Sequence, residues 1–387
     1  MRIGILLPTV LASSRFGKDR IFAPGDLAIK LADRLVEKGH SVYLYTSQDI
    51  KTKATIVAGD ANLTDRDLSY FQFRNRDEAE QRYSSAEIIK RDFEYGLTLQ
   101  AYQDALDDKL DIIHSYHDFG AHYFNELTMV PTVYTLHDPV PQSEDTIEYH
   151  RFKRFQDHLY VSISDSQRRG VLPLNFISTV YHGIDLSAYD FSPNPSESLI
   201  HFGRIMEDKG SDIAIQVAKT VGMPLMLATS MVRANRSQSF FDEKIAPFVD
   251  GTMVQAVGFL QAKEKSAYIG QGKAFLFPLQ WEEPFGMVMI ESMACGTPVI
   301  AYNRGSVSEI VQDGVTGFIV DPDGGDRPNK GNWVIKKQGV EGLVEAIKRI
   351  GEIDRSACKK LVEEKFTVDT MTRGYEQVYE SILVSTK

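Results

Sequence analysis

Cysteine is nearly absent: only Cys295 and Cys358 occur in 387 residues. Two thiols make neither a disulfide framework nor a cysteine metal cluster, and they suit a reducing compartment, so a cytoplasmic protein is expected. Nothing close to Cys295 in sequence would activate its thiol, which marks it as a small packed residue rather than a nucleophile. Basic excess is missing as well. With 43 Lys and Arg against 53 Asp and Glu the net charge is -10, which argues against broad nucleic-acid binding. Long hydrophobic runs are lacking too: none reaches the ~18 residues that span a bilayer, so a soluble protein with at most peripheral membrane contact is expected. Met1-Arg2 leads straight into the apolar segment Ile3 to Pro8, an opening with no room for a signal peptide. No G-x-G-x-x-G follows that segment, which disfavours a nicotinamide dehydrogenase.

What is present is the make-up of an α/β protein, 43% hydrophobic and 25% charged, with enough chain for two domains. Residues 2–8 read as a strand, Asp26 as the N-cap of a helix from Leu27 to Lys38, and Ser41 to Ser47 as the next strand. That is a Rossmann-type opening. Lys51 to Ser85 shows no clear period and reads as variable loops with short elements. Ala86 to Asp107 has a helical pattern, and apolar runs at Leu110 to His114, Thr132 to Leu136, Tyr160 to Ser166 and Ser178 to Gly183 continue the strand series. HRFKRF (His150 to Phe155) interleaves cations and aromatics; its shortness and the acidic whole favour a solvated helix face. The Ser- and Pro-containing stretch Phe191 to Ser198 reads as a linker, after which Leu199 to Phe202 restarts the strand–helix pattern.

The chain is organised around Lys273 to Glu309. A buried strand at Ala274 to Leu279 is followed by the break QWEEP, a helix from Gly286 to Gly296, and a parallel strand from Val299 to Tyr302. Glu283 precedes the helix and Glu291 lies about two turns after Glu283 along the axis. The helix start between them, at Gly286 and Met287, offers unpaired N–H groups and the positive end of the macrodipole, a place suited to phosphate. Upstream, Arg204 and Lys209 place a planar fork and a point charge in a strand-to-helix loop, a combination matched to a diphosphate. The helix after it is capped by Ser211 or Asp212. His114, His117 and His122 have spacings that a metal could use, but no Cys or acidic cluster completes a ligand set, so no metal site is expected.

EPFGMVMIESMACGTPVIA followed by GSVSEIVQDGVTGFIV resembles the donor-binding core of glycosyltransferase family 4, retaining enzymes of the GT-B fold. HFGRIMEDKGSDIAI resembles that family's Gly-Arg-…-Lys-Gly phosphate clamp, TLHDP its strand-end histidine, and YHGID the segment that leaves its first domain. The resemblance implies two Rossmann-like domains with parallel sheets facing an interdomain cleft. Residues 1–187 are then an acceptor-side domain, 188–369 a donor domain, and the helix in 370–387 packs back on the first. By the same resemblance Glu283 contacts the donor sugar and Glu291 the ribose, Arg204 and Lys209 hold the diphosphate, and His137 meets the sugar at its reacting face. Phe259 and Leu260 lie where the base is held, and Phe285, Gly286 and Met287 at the donor's helix start. PGD stands where members carry a Gly-Gly pair, so Gly25 alone represents that loop. His117 and Asp118 face the acceptor side, with strand-end packing as the other reading.

The activity implied is retaining transfer from a nucleoside-diphosphate sugar, with UDP favoured because the motifs are closest to bacterial members using UDP-glucose-type donors. The acceptor is an unidentified small molecule, glycan or lipid. Two cations and a helix dipole can carry the leaving charge, so no metal or other cofactor is expected. A UDP-sugar 2-epimerase of the same fold and a catalytically silent sugar-nucleotide binding protein are the competing readings.

Overall fold

Short apolar runs of β-branched and aromatic residues, each closed by a polar or glycine-containing loop, form buried parallel strands in both halves of the chain. The computed structural model describes residues 1–9, 22–60, 63, 76–116, 119–230, 235–258, 260, 262–324 and 331–385. Two compact units divide the chain: unit 1 comprises Met1–Ile163, Arg168–Val180 and Met371–Lys387, and unit 2 comprises Ser164–Gln167 and Tyr181–Thr370.

Unit 1 contains β1 (Arg2–Leu6), β2 (Ser41–Thr46), β3 (Thr55–Ala58), β4 (Ile112–Ser115), β5 (Thr132–Thr135), β6 (Leu159–Ser162) and β7 (Phe176–Thr179). They form one sheet in the order β3-β2-β1-β4-β5-β6-β7, with every pairing parallel. Unit 2 contains β8 (Leu199–Arg204), β9 (Leu225–Ser230), β10 (Val254–Ala256), β11 (Phe275–Phe277), β12 (Val299–Tyr302) and β13 (Gly317–Val320). These run parallel in the order β10-β9-β8-β11-β12-β13. Both sheets therefore start at a central strand, grow to one side, then reverse and grow to the other. The reversal lies between β1 and β4 in unit 1 and between β8 and β11 in unit 2, and such switch points are where open α/β sheets bind ligands.

The bounds of several elements differ from the sequence reading. The first helix begins at Ala23, not Leu27, so Asp26 lies within its first turn and Phe22 is the N-cap. Pro24 explains the earlier start: its fixed φ suits a first turn, where its missing N–H costs nothing. The helix read from Ala86 begins at Arg76, inside the stretch read as loops with short elements, and one such element is β3, which pairs with β2 from Tyr43↔Thr55 to Thr46↔Ala58. Four residues on a sheet edge are too few to show a period. Among the described residues no helix is long and apolar enough to cross a membrane.

The core of unit 1 is rich in tyrosine, and several of its buried hydroxyls are paired. Tyr45 donates to Asp104 (2.9 Å), Tyr102 to the Ala121 carbonyl (3.0 Å) and Tyr160 to the Phe155 carbonyl (2.9 Å). Tyr375 and Tyr379 of the helix Val368–Ser385 join this core. Tyr379 Oη lies 2.6 Å from His114 Nδ1, and Tyr375 Oη lies 3.0 Å from Thr135 Oγ1. In unit 2 the buried Arg355 guanidinium donates to the carbonyls of Ser192 (2.8 Å), Gly272 (2.9 Å) and Gly270 (2.8 Å) and to Thr297 Oγ1 (2.9 Å). One fork thereby ties three chain segments together.

Burial depresses the histidines at the heart of both units: His114, His122 and His182 to about 3 and His201 to about 4. Each stays neutral in the folded protein where an unfolded chain would bind a proton, near pH 6.5. Their stabilisation is complete above that value and is lost as pH falls toward the folded values. Between about pH 6.5 and about pH 5, above the carboxylate range, each should remove up to ~1.4 kcal/mol per pH unit. Urea midpoints should fall across that window. A flat profile would show that these rings are not held neutral.

Candidate functional site

The switch point of unit 2 is built by three loops. The first follows β8. Arg204 ends the strand with its side chain exposed, and among the described residues its guanidinium has no hydrogen-bond or ion-pair partner. The turn Glu207–Lys209 comes next, then Gly210 at φ 72, where an added Cβ would sit 2.1 Å from the Pro278 carbonyl oxygen. Gly210, rather than Ser211 or Asp212, is the N-cap of the helix Ser211–Val221. The Ser211 hydroxyl lies instead 2.9 Å from His201 Nε2, and His201 Nδ1 is 2.8 Å from the Leu276 carbonyl on β11. A buried imidazole thus braces the start of this helix against the neighbouring strand.

The second loop follows β11 and carries the acid. Its Gln280 N–H donates to the Asp208 carbonyl (2.8 Å), joining it to the first loop. Glu283 Oε2 accepts from Lys209 Nζ at 2.6 Å and from Trp281 Nε1 at 3.0 Å. Lys209 Nζ also lies 4.6 Å from the Trp281 ring centroid, within cation–π range. The two charged side chains are only 10% and 13% exposed. Oε1 of Glu283 is engaged by no described residue, so the carboxylate keeps acceptor capacity.

The third loop, after β12, fixes the backbone of the second. Ser306 donates its N–H to the Glu283 carbonyl (2.9 Å) and its hydroxyl to the Phe285 carbonyl (2.6 Å). Gly305, at φ 55, packs so closely that a Cβ would fall 2.1 Å from the Glu283 carbonyl oxygen. Gly286, at φ 78, then opens the helix Met287–Ala294 with no side-chain cap, leaving the first N–H groups available beside Glu283.

Glu291, about one turn into that helix, is buried rather than a helix-surface acid. Its Oε1 accepts from Tyr189 Oη (2.8 Å) and its Oε2 pairs with Lys265 Nζ (2.6 Å). The structure thus brings Lys209, Glu283 and Gly286 together, with Glu291 on the same helix and Arg204 at the end of the adjoining strand. Met287 is partly exposed at the helix start, and the Phe285 side chain is buried against His182, with ring centroids 5.0 Å apart. Leu260 is half-buried after β10.

The remaining candidates lie in unit 1 or outside the described residues. Gly25 is a first-turn residue of the helix Ala23–Glu37 in unit 1, packed under Phe22. His137 is at the carboxyl end of β5 in unit 1, its Nε2 2.7 Å from the Tyr116 carbonyl. Phe259, His117 and Asp118 lie outside the described residues. Trp281, Tyr189, Lys265, Gly305 and Ser306 were not picked out beforehand. Trp281 stands in the QWEEP break, but nothing in one sequence shows a distant Tyr or Lys meeting an acid. Among the described residues no group of three or more His, Cys, Asp or Glu side chains is placed to hold a metal ion.

Two α/β units with parallel sheets of seven and six strands place the chain in the GT-B fold class. Residues 191–332 match the family model described as Glycosyl transferases group 1. Sucrose-phosphate synthase from Thermosynechococcus elongatus superposes with a TM-score of 0.70 at 17% identity, covering 100% of both chains. HepE of Anabaena, solved in complex with UDP and glucose, superposes at 0.66 and 17% identity over 98% of this chain and 100% of its own. The D-inositol 3-phosphate glycosyltransferase of Rhodococcus erythropolis is 28% identical over 227 residues, 54% of this chain and 49% of that protein. A 41.2 kDa protein of the Klebsiella pneumoniae cps region is 26% identical over 184 residues, 48% of this chain and 46% of that one. The chain spans about half the length of these curated relatives.

Gly305 supplies a direct test of the site's construction. Gly305→Ala adds backbone strain of ~1–2 kcal/mol and a clash with Glu283, whereas Gly222→Ala, also at positive φ but with nothing within 4 Å, adds only the strain. Urea unfolding should therefore show a clearly larger loss for Gly305→Ala. Equal losses would mean that the loop carrying Glu283 is not held against Gly305.

Proposed function

We propose that the chain is a retaining, metal-independent glycosyltransferase of family 4 that transfers a sugar from a nucleoside diphosphate, UDP by preference, to an acceptor. One observation carries the reading. At the switch point of unit 2 a nearly buried ammonium and carboxylate are locked together beside an uncapped helix start, with an exposed arginine that has no partner among the described residues at the end of the adjoining strand. Cations and N–H dipoles suit a diphosphate, and carboxylates beside them suit sugar and ribose hydroxyls. The group 1 domain match over residues 191–332 supports it, as does the complex of HepE with UDP and glucose.

In the reaction, the bond between the anomeric carbon and the diphosphate oxygen breaks as an oxocarbenium-like centre develops. The acceptor oxygen bonds to that carbon on the leaving-group face, and its proton passes to the departing phosphate oxygen. Arg204, Lys209 and the helix start at Gly286 and Met287 take up the leaving charge, at ~3 kcal/mol each by analogy with oxyanion donors. Lys209 spends one of its three donors on Glu283, which fixes Nζ and leaves two for phosphate oxygens. Glu283 accepts from the sugar hydroxyls and Glu291 from the ribose. His137, Gly25, Phe259, Leu260 and Phe285 keep the donor-side roles that the family resemblance implies, and His117 and Asp118 the acceptor-side ones. The leaving charge is met by these groups, so neither a metal ion nor another cofactor is assigned. The setting proposed is the cytoplasm.

Lys209→Ala and Glu283→Ala should each lower kcat/KM about 100-fold or more, measured as donor hydrolysis or transfer, because each removes a transition-state contact. Mild effects from both would mean that the site is elsewhere. Turnover should survive EDTA; a loss restored by Mg²⁺ or Mn²⁺ would overturn metal independence. A thermal-shift panel of UDP, GDP and ADP donors should favour UDP. Formation of a 2-epimer from donor alone, or donor binding without any turnover, would replace transfer with one of the competing activities.

A further inference from the structure

Unit 1 carries a hollow of about 270 Å³ that the proposed transfer chemistry leaves unassigned, lined by Lys90, Arg91, Glu94, Tyr95, Phe119 and Arg151 among others. Lys90, Arg91, Glu94 and Tyr95 come from the helix Arg76–Leu106, where Lys90 and Glu94, and Arg91 and Tyr95, are four residues apart and share a face. Arg151 comes from the helix Ile147–Lys153, in the stretch whose cations the sequence reading left to solvent. Three cations thus meet a single carboxylate in the lining, within a chain of net charge -10. Among the described residues none of the three has an ion-pair or hydrogen-bond partner for its side chain. Gathering like charges in excess of their counter-charge is unfavourable, and an anion that joins them relieves it.

The lining is also shaped for a particular anion. The Arg151 guanidinium lies over the Phe119 ring, 3.8 Å from its centroid. Stacking orients the planar group while leaving its N–H donors unspent, the state in which arginine binds phosphate oxygens in pairs. Phe119 is itself held by Phe152 at 5.3 Å and His122 at 4.8 Å between centroids, so the platform is set by packing. Tyr95, 41% exposed, adds a second aromatic surface. The excess of two positive charges matches a phosphate monoester, which carries roughly -1.5 to -2 near neutrality. The volume is slightly below the ~300 Å³ at which clefts for whole small molecules begin, which suits a head group.

We propose that this hollow is a binding site for a phosphate monoester, held by Lys90, Arg91 and Arg151 with the organic end of the ester against Phe119 and Tyr95. The assignment stands apart from the donor chemistry of unit 2, and its test needs no turnover. The full chain is titrated calorimetrically with sn-glycerol 3-phosphate. It is also sedimented with phosphatidylcholine vesicles containing phosphatidic acid, or phosphatidylglycerol as a diester control. Lys90→Gln and Arg151→Gln should each weaken binding about 10-fold or more, the effect of losing a charged hydrogen bond, and Lys209→Ala should leave it unchanged. Binding of the free ester identifies a soluble phosphate as the source, and binding only to phosphatidic acid vesicles identifies a lipid head group. The proposal is overturned if neither probe binds, if both Gln variants bind like the parent, if Lys209→Ala abolishes binding, or if phosphatidylglycerol serves equally well.

Discussion

An ammonium and a carboxylate 2.6 Å apart, both almost withdrawn from water, form the contact on which the organisation of unit 2 depends. Such a pair is a poor source of stability, because the cost of stripping water from two ions can exceed their attraction. Removing either partner would nevertheless strand a buried charge, at a cost of ~3–5 kcal/mol. The pair therefore constrains more than it stabilises: the loops that bring Lys209 and Glu283 must arrive together. The Trp281 indole reinforces this by donating to the same oxygen and presenting its face to the same ammonium. The surrounding backbone is arranged around that requirement. Gly210 lets the first loop pass under Pro278, and Gly305 lets the third press against Glu283, both at positive φ. At neither position could a side chain be fitted without moving the acid or the base.

The same device recurs along one helix. Glu291 is paired with Lys265 and Tyr189 much as Glu283 is paired with Lys209 and Trp281, so both acids of the central unit are held by one cation and one aromatic donor. Each is oriented before any ligand arrives, which is the condition under which hydrogen-bond acceptors discriminate among hydroxyls without reorganising. Unit 1 uses different means. Several of its buried hydroxyls and imidazoles satisfy one another, as in the line Tyr379, His114, Thr135, Tyr375, and the helix Val368–Ser385 is fastened by hydrogen bonds as well as by area.

Much of the architecture could be read from residue order. The β-loop-α-β opening, the restart near Leu199 and the strand–helix–strand unit around Glu283 are carried by local periodicity, which a single chain displays directly. The elements that escaped were those without a period. β3 is four residues on a sheet edge, and the first helix began early because Pro24 favours a first turn as readily as a loop. At the site, Arg204, Lys209, Glu283, Gly286 and Glu291 stood out through the motifs they share with the family that the sequence resembles. Trp281, Tyr189, Lys265, Gly305 and Ser306 did not, because their part is defined by what they touch across 2 to 102 positions of chain.

The amino-acid order by itself determined the α/β class, the doubling of the strand–helix pattern and the helix start flanked by two acids, since these follow from side-chain period, turn chemistry and the backbone's own dipoles. Only the tertiary structure decided that Glu283 is bound to Lys209, that Glu291 is buried against Lys265 and Tyr189, and that Lys90, Arg91 and Arg151 line one hollow. Those pairings depend on the reversal of strand order in each sheet. It sets β11 beside β8, and with it the loop of Glu283 beside that of Lys209, although 74 positions separate the two residues. Spacing along a chain carries no trace of such a meeting.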